Sequence, residues 1–369
     1  MVRIRILVVD DSVVIRKLLC DALSQDPELE VIASAGDGRI ALAKIAQLHP
    51  DLITLDVDMP VMNGLETLVE VRKLYPKMPV IMFSTLTERG AAATLSALSL
   101  GASDYASKPN TGSPVEAIEE IRAALIPKIK ALCADHSTRL KSLPPPRPAV
   151  RARVPPNRRV EIVAIGTSTG GPNALAEVLP RIPKDFPVPI VVVQHMPPIF
   201  TRMLADRLAS RSAVAVEEGS AGVVLSPAHS WIAPGNFHMT VARAGVNWQL
   251  QLNQNPPEHS CRPAVDPLFR SVAAVFRANV LGVVMTGMGS DGVLGAQHIR
   301  EAGGEVIIQD EPSSVVWGMP GLVYAAGQAD AVYPLDQLAA QITRRVLQSR
   351  APRAAVSMNS HTSLEPRAK

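Results

Sequence analysis

Short apolar runs recur along the first 110 residues, each followed by a stretch of helical period. IRILVV (4–9), EVIAS (30–34), DLITLD (51–56), PVIMFS (79–84) and SDYAS (103–107) have the length and bounding of strands. Helices are predicted between and after them, over 13–25, 38–47, 64–75, 88–99 and 113–133. Five strand–helix units in so short a length predict a doubly wound parallel sheet with helices on both faces, a flavodoxin-like α/β arrangement. The last helix opens on SPVE, with Ser113 as N-cap, Pro114 in the first turn and Glu116 reaching back in a capping box. Pro127 is expected to kink it.

The same rhythm returns further along. RVEIVAIG, PVPIVVVQH, NVLGVVMTG and GEVIIQD predict buried strands, and helices fit 171–179, 198–210, 265–277, 290–302 and 335–349. Between them HSWIAPGNFHMTVARAGVNWQLQL (229–252) alternates with period two around Gly and Asn turns, which predicts an inserted antiparallel hairpin. This is a second, Rossmann-like α/β domain. Separating the two is STRLKSLPPPRPAVRARVPPNRR (137–159), with six prolines, seven Lys or Arg and no acid. Such text is extended and solvated, the composition of a linker. The predicted organisation is a first domain over 1–133, a linker over 134–159, a second domain over 160–350 and a disordered tail over 351–369.

Composition narrows the class. Of 369 residues, 47% are hydrophobic and 19% charged, enough to build sizeable cores. A net charge of +3 argues against a dedicated nucleic-acid binder, and makes the basic linker a solvated spacer first. Cys20, Cys133 and Cys261 are odd in number and far apart, which excludes a disulfide framework and a thiolate zinc site. No apolar run approaches the roughly 18 residues needed to span a bilayer, and the opening MVRIRILVVDDS is too short for a signal core. A cytoplasmic protein without direct membrane insertion is expected.

In the first domain the chemistry collects at the carboxyl ends of strands, where open α/β sheets bind ligands. Asp10 and Asp11 follow the first strand, Asp56 the third, Ser84 the fourth and Lys108 the fifth. Any one acid at such a place could be a helix N-cap. Three together repel unless a cation joins them, and an oxygen-only donor set suits Mg²⁺. Asp56 could then attack a phosphoryl donor, with Lys108 offsetting the added charge and the Ser84 hydroxyl donating to a phosphate oxygen.

In the second domain GTSTG (166–170) places Ser168 on a corner between a strand and a helix, a G-x-S-x-G pattern that is either an ordinary βα turn or a nucleophile elbow. An activated serine needs a base. His49, His136 and His361 fall in the first domain, linker and tail; His298 sits in a helical pattern and His238 in the hairpin. His195 ends the strand expected beside that of Ser168, close enough for their side chains to touch. Asp291, in VVMTGMGSDG, follows another buried strand and could orient the imidazole. N-cap and phosphate-cradle readings compete for that loop, but it lacks a Walker lysine, and GTSTGG lacks dinucleotide-fold spacing. Three reactive types at neighbouring strand ends are better explained by a Ser–His–Asp triad.

Two resemblances follow. LVVDDS…LDVDMPVMNGLE…MFST…GASDYASKP resembles a two-component receiver domain over nearly all of 1–125. The resemblance implies phosphorylation of Asp56 by a histidine kinase (CheA type), with Mg²⁺ held by Asp10, Asp11, Asp56 and the main-chain oxygen of Asp58. It also implies Ser84 and Tyr105 as the switch pair. AIGTSTGGPNAL, VVVQHMPPIFT, APGNFHM, HSCRPAVDPLF, VVMTGMGSDG and IIQDEPSSVVWGMP resemble the catalytic domain of the chemotaxis protein-glutamate methylesterase family, CheB, over 160–350. That resemblance implies Ser168 as nucleophile, His195 as general base and acid and Asp291 as orienting acid. The backbone N–H groups of Thr169 and Met288 are the oxyanion candidates. The implied activity is methyl-ester hydrolysis and glutamine deamidation on methyl-accepting chemotaxis receptors, with no cofactor for the esterase step and the receiver gating the cleft. Two alternatives stand beside it: the same enzyme in a non-flagellar array, and a response regulator with a non-catalytic binding output.

Overall fold

The computed structural model describes residues 3–134 and 158–350. The spacer residues 135–157 and the predicted tail 351–369 lie outside the described residues.

The first unit is a five-stranded parallel sheet of order β2-β1-β3-β4-β5, with β1 Ile4–Val9, β2 Leu29–Ala35, β3 Leu52–Asp56, β4 Val80–Ser84 and β5 Asp104–Ser107. Helices α1 Val13–Leu23, α2 Gly38–Leu48, α3 Gly64–Leu74, α4 Glu88–Ser99 and α5 Pro114–Cys133 connect and cover it. β3 and β4 are buried along their whole length, because helices cover both of their faces. Ser113 caps α5 as predicted, accepting from the Glu116 N–H. The Glu116 carboxylate, however, accepts from the Thr111 hydroxyl at 2.5 Å instead of closing a capping box, because the Ser113 N–H that the box would use donates to Thr111 Oγ1 at 3.2 Å. α5 continues through Pro127 as one element.

The second unit is a seven-stranded parallel sheet of order β14-β13-β12-β6-β7-β9-β8. Its strands are β6 Ile162–Thr167, β7 Ile190–Gln194, β8 Ala215–Glu218, β9 His229–Ile232, β12 Val280–Val284, β13 Glu305–Gln309 and β14 Ala331–Tyr333. Its helices are α6 Gly171–Val178, α7 Phe200–Ala209, α8 Val265–Phe276, α9 Val293–Glu301, α10 Met319–Ala325 and α11 Leu335–Gln348. The expected hairpin is narrower than its sequence pattern. His229–Ile232 leaves it to pair in parallel with β7, burying Trp231, and only β10 His238–Ala244 and β11 Asn247–Asn253 pair antiparallel. The break falls at Pro234–Gly235, where a Cβ on Gly235 would stand 2.1 Å from the Pro198 nitrogen. β8, β14 and α10 were not predicted. The two strands are short edge strands with mixed burial, and such edges carry no apolar run.

The chain crosses from one side of β6 to the other between β7 and β12, so the C-terminal end of β6 is a topological switch point. β6 runs into the tight backbone of 166–171. A Cβ on Gly166 would sit 2.5 Å from Val265 Cγ1, and one on Gly171 would sit 1.9 Å from Gln194 Oε1. These glycines let the strand end lie directly against α8 and β7. Gly166→Ala therefore overpacks the β6–α8 contact and should cost about 1–3 kcal/mol in chemical denaturation; wild-type stability in that variant would contradict the packing described here.

Candidate active site

Every acid expected in the first unit's pocket is there. Asp10, Asp11 and Asp56 offer carboxylate oxygens within 4.8 Å of one another, and Lys108 Nζ stands 2.8 Å from Asp10 Oδ2 and 2.8 Å from Asp56 Oδ2. Burial pushes the Asp56 carboxyl up, the Lys108 hydrogen bond pulls it down and Asp10 raises it again, leaving it at about 6. Three carboxylates gathered this closely fit a hard divalent cation. The Asp58 side chain stands outside the cluster, 3.5 Å from Arg89, so only its main-chain oxygen is available for the expected role. Ser84 is buried, its hydroxyl 2.7 Å from that of Thr94. Tyr105 is buried as well, but its ring stacks on Phe200 of α7 at 4.8 Å, which ties the predicted switch residue to the second unit.

In the second unit Ser168, His195 and Asp291 line one cavity of about 670 Å³ at the C-terminal ends of β6, β7 and β12, together with Thr169 and Met288. The Ser168 N–H donates to the Thr286 carbonyl at 3.1 Å and its carbonyl accepts from the Gly171 N–H at 2.8 Å, so the corner is pinned on both sides. His195 Nε2 lies 2.8 Å from Asp291 Oδ2, so Nδ1 is the ring nitrogen directed away from the carboxylate. Asp291 Oδ2 also accepts from Val265 N–H at 2.6 Å, and Oδ1 from Asp266 and Gly292 N–H at 2.9 Å each. Burial pushes the Asp291 carboxyl up, but His195 and these N–H donors reverse that and hold it below the ordinary value. For His195 burial favours the neutral ring, yet the bonds to Asp291 and Cys261 prevail and raise it to about 10. Among the described residues no backbone carbonyl takes the N–H of Thr169 or of Met288.

Three histidines set aside by the sequence have places away from Ser168. His49 takes the left-handed C-cap of α2 with its backbone N–H on the Ile45 carbonyl, His298 bonds within α9 to the Leu294 carbonyl, and His238 is buried between the Pro256 carbonyl and the Ala264 N–H. His136 and His361 lie outside the described residues.

The first unit forms part of the same cavity. Tyr105, Ser107, Ala124 and Lys128 line it together with Ser168. The Thr169 hydroxyl, one residue past the serine, donates to Asp104 Oδ2 at 2.7 Å, and Lys128 Nζ lies 3.0 Å from the same oxygen. Around this centre Asn173 donates to the Leu98 carbonyl at 2.7 Å and Arg207 donates to the Leu95 carbonyl at 2.6 Å and to the Ser99 hydroxyl. Arg202 pairs with Glu88 at 2.6 Å. No periodicity carries such pairings, so sequence reasoning missed Asp104, Lys128 and Arg207. It also missed His259 and Cys261 in the cavity wall, although both lie in the quoted stretch HSCRPAVDPLF.

The raised proton affinity of His195 has a stability consequence. Its native value of about 10 exceeds the ordinary 6.5, so the His195–Asp291 pair stabilises the fold fully below about 6.5 and loses that contribution as pH rises toward 10. NMR titration should place the native imidazole midpoint far above 6.5, and Asp291→Asn should bring it well down. An unmoved midpoint would show that the carboxylate does not hold the proton.

The profile of the family described as CheB methylesterase matches residues 163–342, and that of the response regulator receiver domain matches residues 6–120. A protein-glutamate methylesterase/protein-glutamine glutaminase of Trichodesmium erythraeum is 52% identical over 351 residues, covering 94% of this chain and 100% of that one. A protein of the same name from a Nocardioides species is 49% identical over 354 residues, covering 94% and 96%. The crystal structure of the Thermotoga maritima CheB methylesterase catalytic domain shares 40% identity with a TM-score of 0.50, covering 50% of this chain and 98% of that one. With a receiver domain ahead of a catalytic unit that carries serine, histidine and aspartate on one cavity, the chain belongs to the CheB family of protein-glutamate methylesterases/protein-glutamine glutaminases.

Proposed function

We propose that this chain hydrolyses glutamyl methyl esters on methyl-accepting chemotaxis receptors and deamidates receptor glutamines through Ser168, His195 and Asp291, under control of phosphorylation at Asp56. The observation that carries the reading is the joint exposure of Ser168 and an Asp291-oriented His195 to one cavity at a switch point.

Ser168 Oγ attacks the ester carbonyl carbon while the neutral form of His195, whose share grows as pH rises toward 10, takes the hydroxyl proton at Nδ1. Asp291 keeps the imidazole in place and balances its charge. The N–H groups of Thr169 and Met288 receive the oxyanion, and the site gains most where charge develops. Collapse breaks the C–O bond to methoxide, which leaves as methanol with the proton from His195. Water then attacks the acyl–serine, gives a proton to His195, and the second collapse releases the glutamate carboxyl and returns the proton to Ser168. An amide follows the same course, with ammonia leaving.

Control rests on the receiver wall of the cavity. Asp10, Asp11 and Asp56 with the Asp58 main-chain oxygen would hold Mg²⁺, which when bound supplies positive charge for the phosphoryl oxygens. A histidine kinase of the chemotaxis pathway is the proposed donor. Phosphorylation opens the cavity only by favouring an arrangement in which the Tyr105–Phe200, Asp104–Thr169 and Arg207 contacts are released. Each such contact is worth about 1 kcal/mol, so losing two shifts the balance by roughly tenfold or more.

Ser168→Ala should lower methanol release from methylated receptors at least about a thousandfold with the fold unchanged by circular dichroism; a Ser168→Ala chain of near-native rate sinks the mechanism. Acetyl phosphate should raise the wild-type rate and leave Asp56→Asn at its basal level. The double variant Asp104→Ala, Arg207→Ala should run several-fold faster than wild type without phosphorylation, whereas equal basal rates would argue against receiver occlusion.

A further inference from the structure

A second histidine stands beside the site, with a hydrogen-bonded chain of its own. His259 Nε2 lies 2.8 Å from Asp266 Oδ2, and His259 Nδ1 lies 3.3 Å from the Ser290 hydroxyl. Both His259 and Ser290 open onto the catalytic cavity. Asp266 is fully buried in the first turn of α8. Its Oδ1 accepts from Gly292 N–H at 3.0 Å and from Gly295 N–H at 2.6 Å, while its own N–H donates to Asp291 Oδ1. The Asp266 side chain thus fastens the start of α9 to the start of α8, and Asp291 is the residue caught between them.

The backbone around this chain is built for it. His259 and Ser260 are consecutive non-glycine residues in the left-handed region, with φ of 52° and 60°. That conformation costs energy and persists only where surrounding contacts require it. At Gly295 a Cβ would meet Phe269 Cβ at 2.4 Å and Asp266 Oδ1 at 3.0 Å, so glycine lets the N–H approach the carboxylate.

Asp266 and Asp291 are neighbouring buried acids, and His259 Nε2 is 3.9 Å from Asp291 Oδ1. Without a donor on its second oxygen, Asp266 would be left half-satisfied beside the carboxylate that orients His195. An unpaired buried acceptor is costly, and the nearest way to relieve it is to draw on the N–H groups that now hold Asp291.

We propose that His259 and Asp266 are positioning residues of the esterase: the His259–Asp266 hydrogen bond fixes the Asp266 staple between α8 and α9, and through it the setting of Asp291 against His195. The proposal rests on the assignment of Ser168, His195 and Asp291 above. Neither residue touches the reacting atoms, so the effect belongs to the rate of the acyl-transfer steps and not to substrate affinity.

The test uses the full chain treated with acetyl phosphate and methylated receptor as substrate, with Ser168→Ala as reference. His259→Ala should lower kcat about tenfold while KM stays within about twofold, and should slow fluorophosphonate labelling of Ser168 by a similar factor. His259→Gln, which can still present an N–H donor to Asp266, should recover kcat to within about threefold of wild type. Asp266→Asn, nearly isosteric, should resemble His259→Ala, and it decides the matter should His259→Ala fail to fold. A wild-type kcat in His259→Ala or in Asp266→Asn overturns the proposal, as does a Gln variant no faster than the Ala variant. If those results come with an inactive Ser168→Ala, only the positioning role falls; an active Ser168→Ala overturns the site assignment and this inference together.

Discussion

The catalytic unit depends on one buried carboxylate. Asp291 takes N–H groups from Val265, Asp266 and Gly292 and faces His195 on its remaining direction. A charge so enclosed is tolerated only because each oxygen is satisfied, and removing a donor would expose an uncompensated group. The donors come from the first turns of α8 and α9, where unpaired N–H groups and the positive ends of both helix dipoles converge. Two helices, one strand end and the glycine-rich loop after β12 must therefore meet within hydrogen-bond distance before the imidazole has a fixed orientation. Gly166 and Gly295 serve that meeting, since a side chain at either would push α8 away from β6 or α9.

Both units put their chemistry at the same kind of place. In the receiver the strand order reverses beside β1 and β3, and Asp10, Asp11 and Asp56 gather at those strand ends. In the catalytic unit it reverses about β6, and Ser168 and His195 stand at the ends of β6 and β7. What links the two is a run of contacts from the start of β5 to the starts of α6 and α7. Asp104 and Tyr105 are neighbours in sequence: one accepts from Thr169 beside the serine, the other stacks on Phe200. A displacement of Tyr105 therefore cannot leave the wall of the esterase cavity untouched, which gives the proposed control a direct mechanical path.

The strand-and-helix pattern, the parallel sheets and the strand-end acids, serine and histidine were legible in the sequence, because burial on two faces leaves continuous apolar runs and sharp punctuation at their ends. Helix bounds agree within three residues for α1 to α9 and for α11. Where the reading failed, the residues had no local signal. His229–Ile232 alternates like its hairpin neighbours, yet the approach of Gly235 to Pro197 and Pro198 turns it into the main sheet. β8 and β14 are edge strands with one wet side, and α10 has only seven residues.

By itself, then, the chain determined the two α/β units and the residue types available for phosphoryl and acyl chemistry, since these follow from periodicity and from motifs contiguous in the sequence. Only the tertiary structure decided which nitrogen of His195 faces Asp291, that Asp266 and His259 stand behind that carboxylate, and that the receiver supplies a wall of the cavity through Tyr105, Ser107 and Lys128. The reason is physical: these relations join groups from 7 to 96 positions apart along the chain by single hydrogen bonds and stacked rings. Such contacts exist only once the sheets have brought the strand ends together.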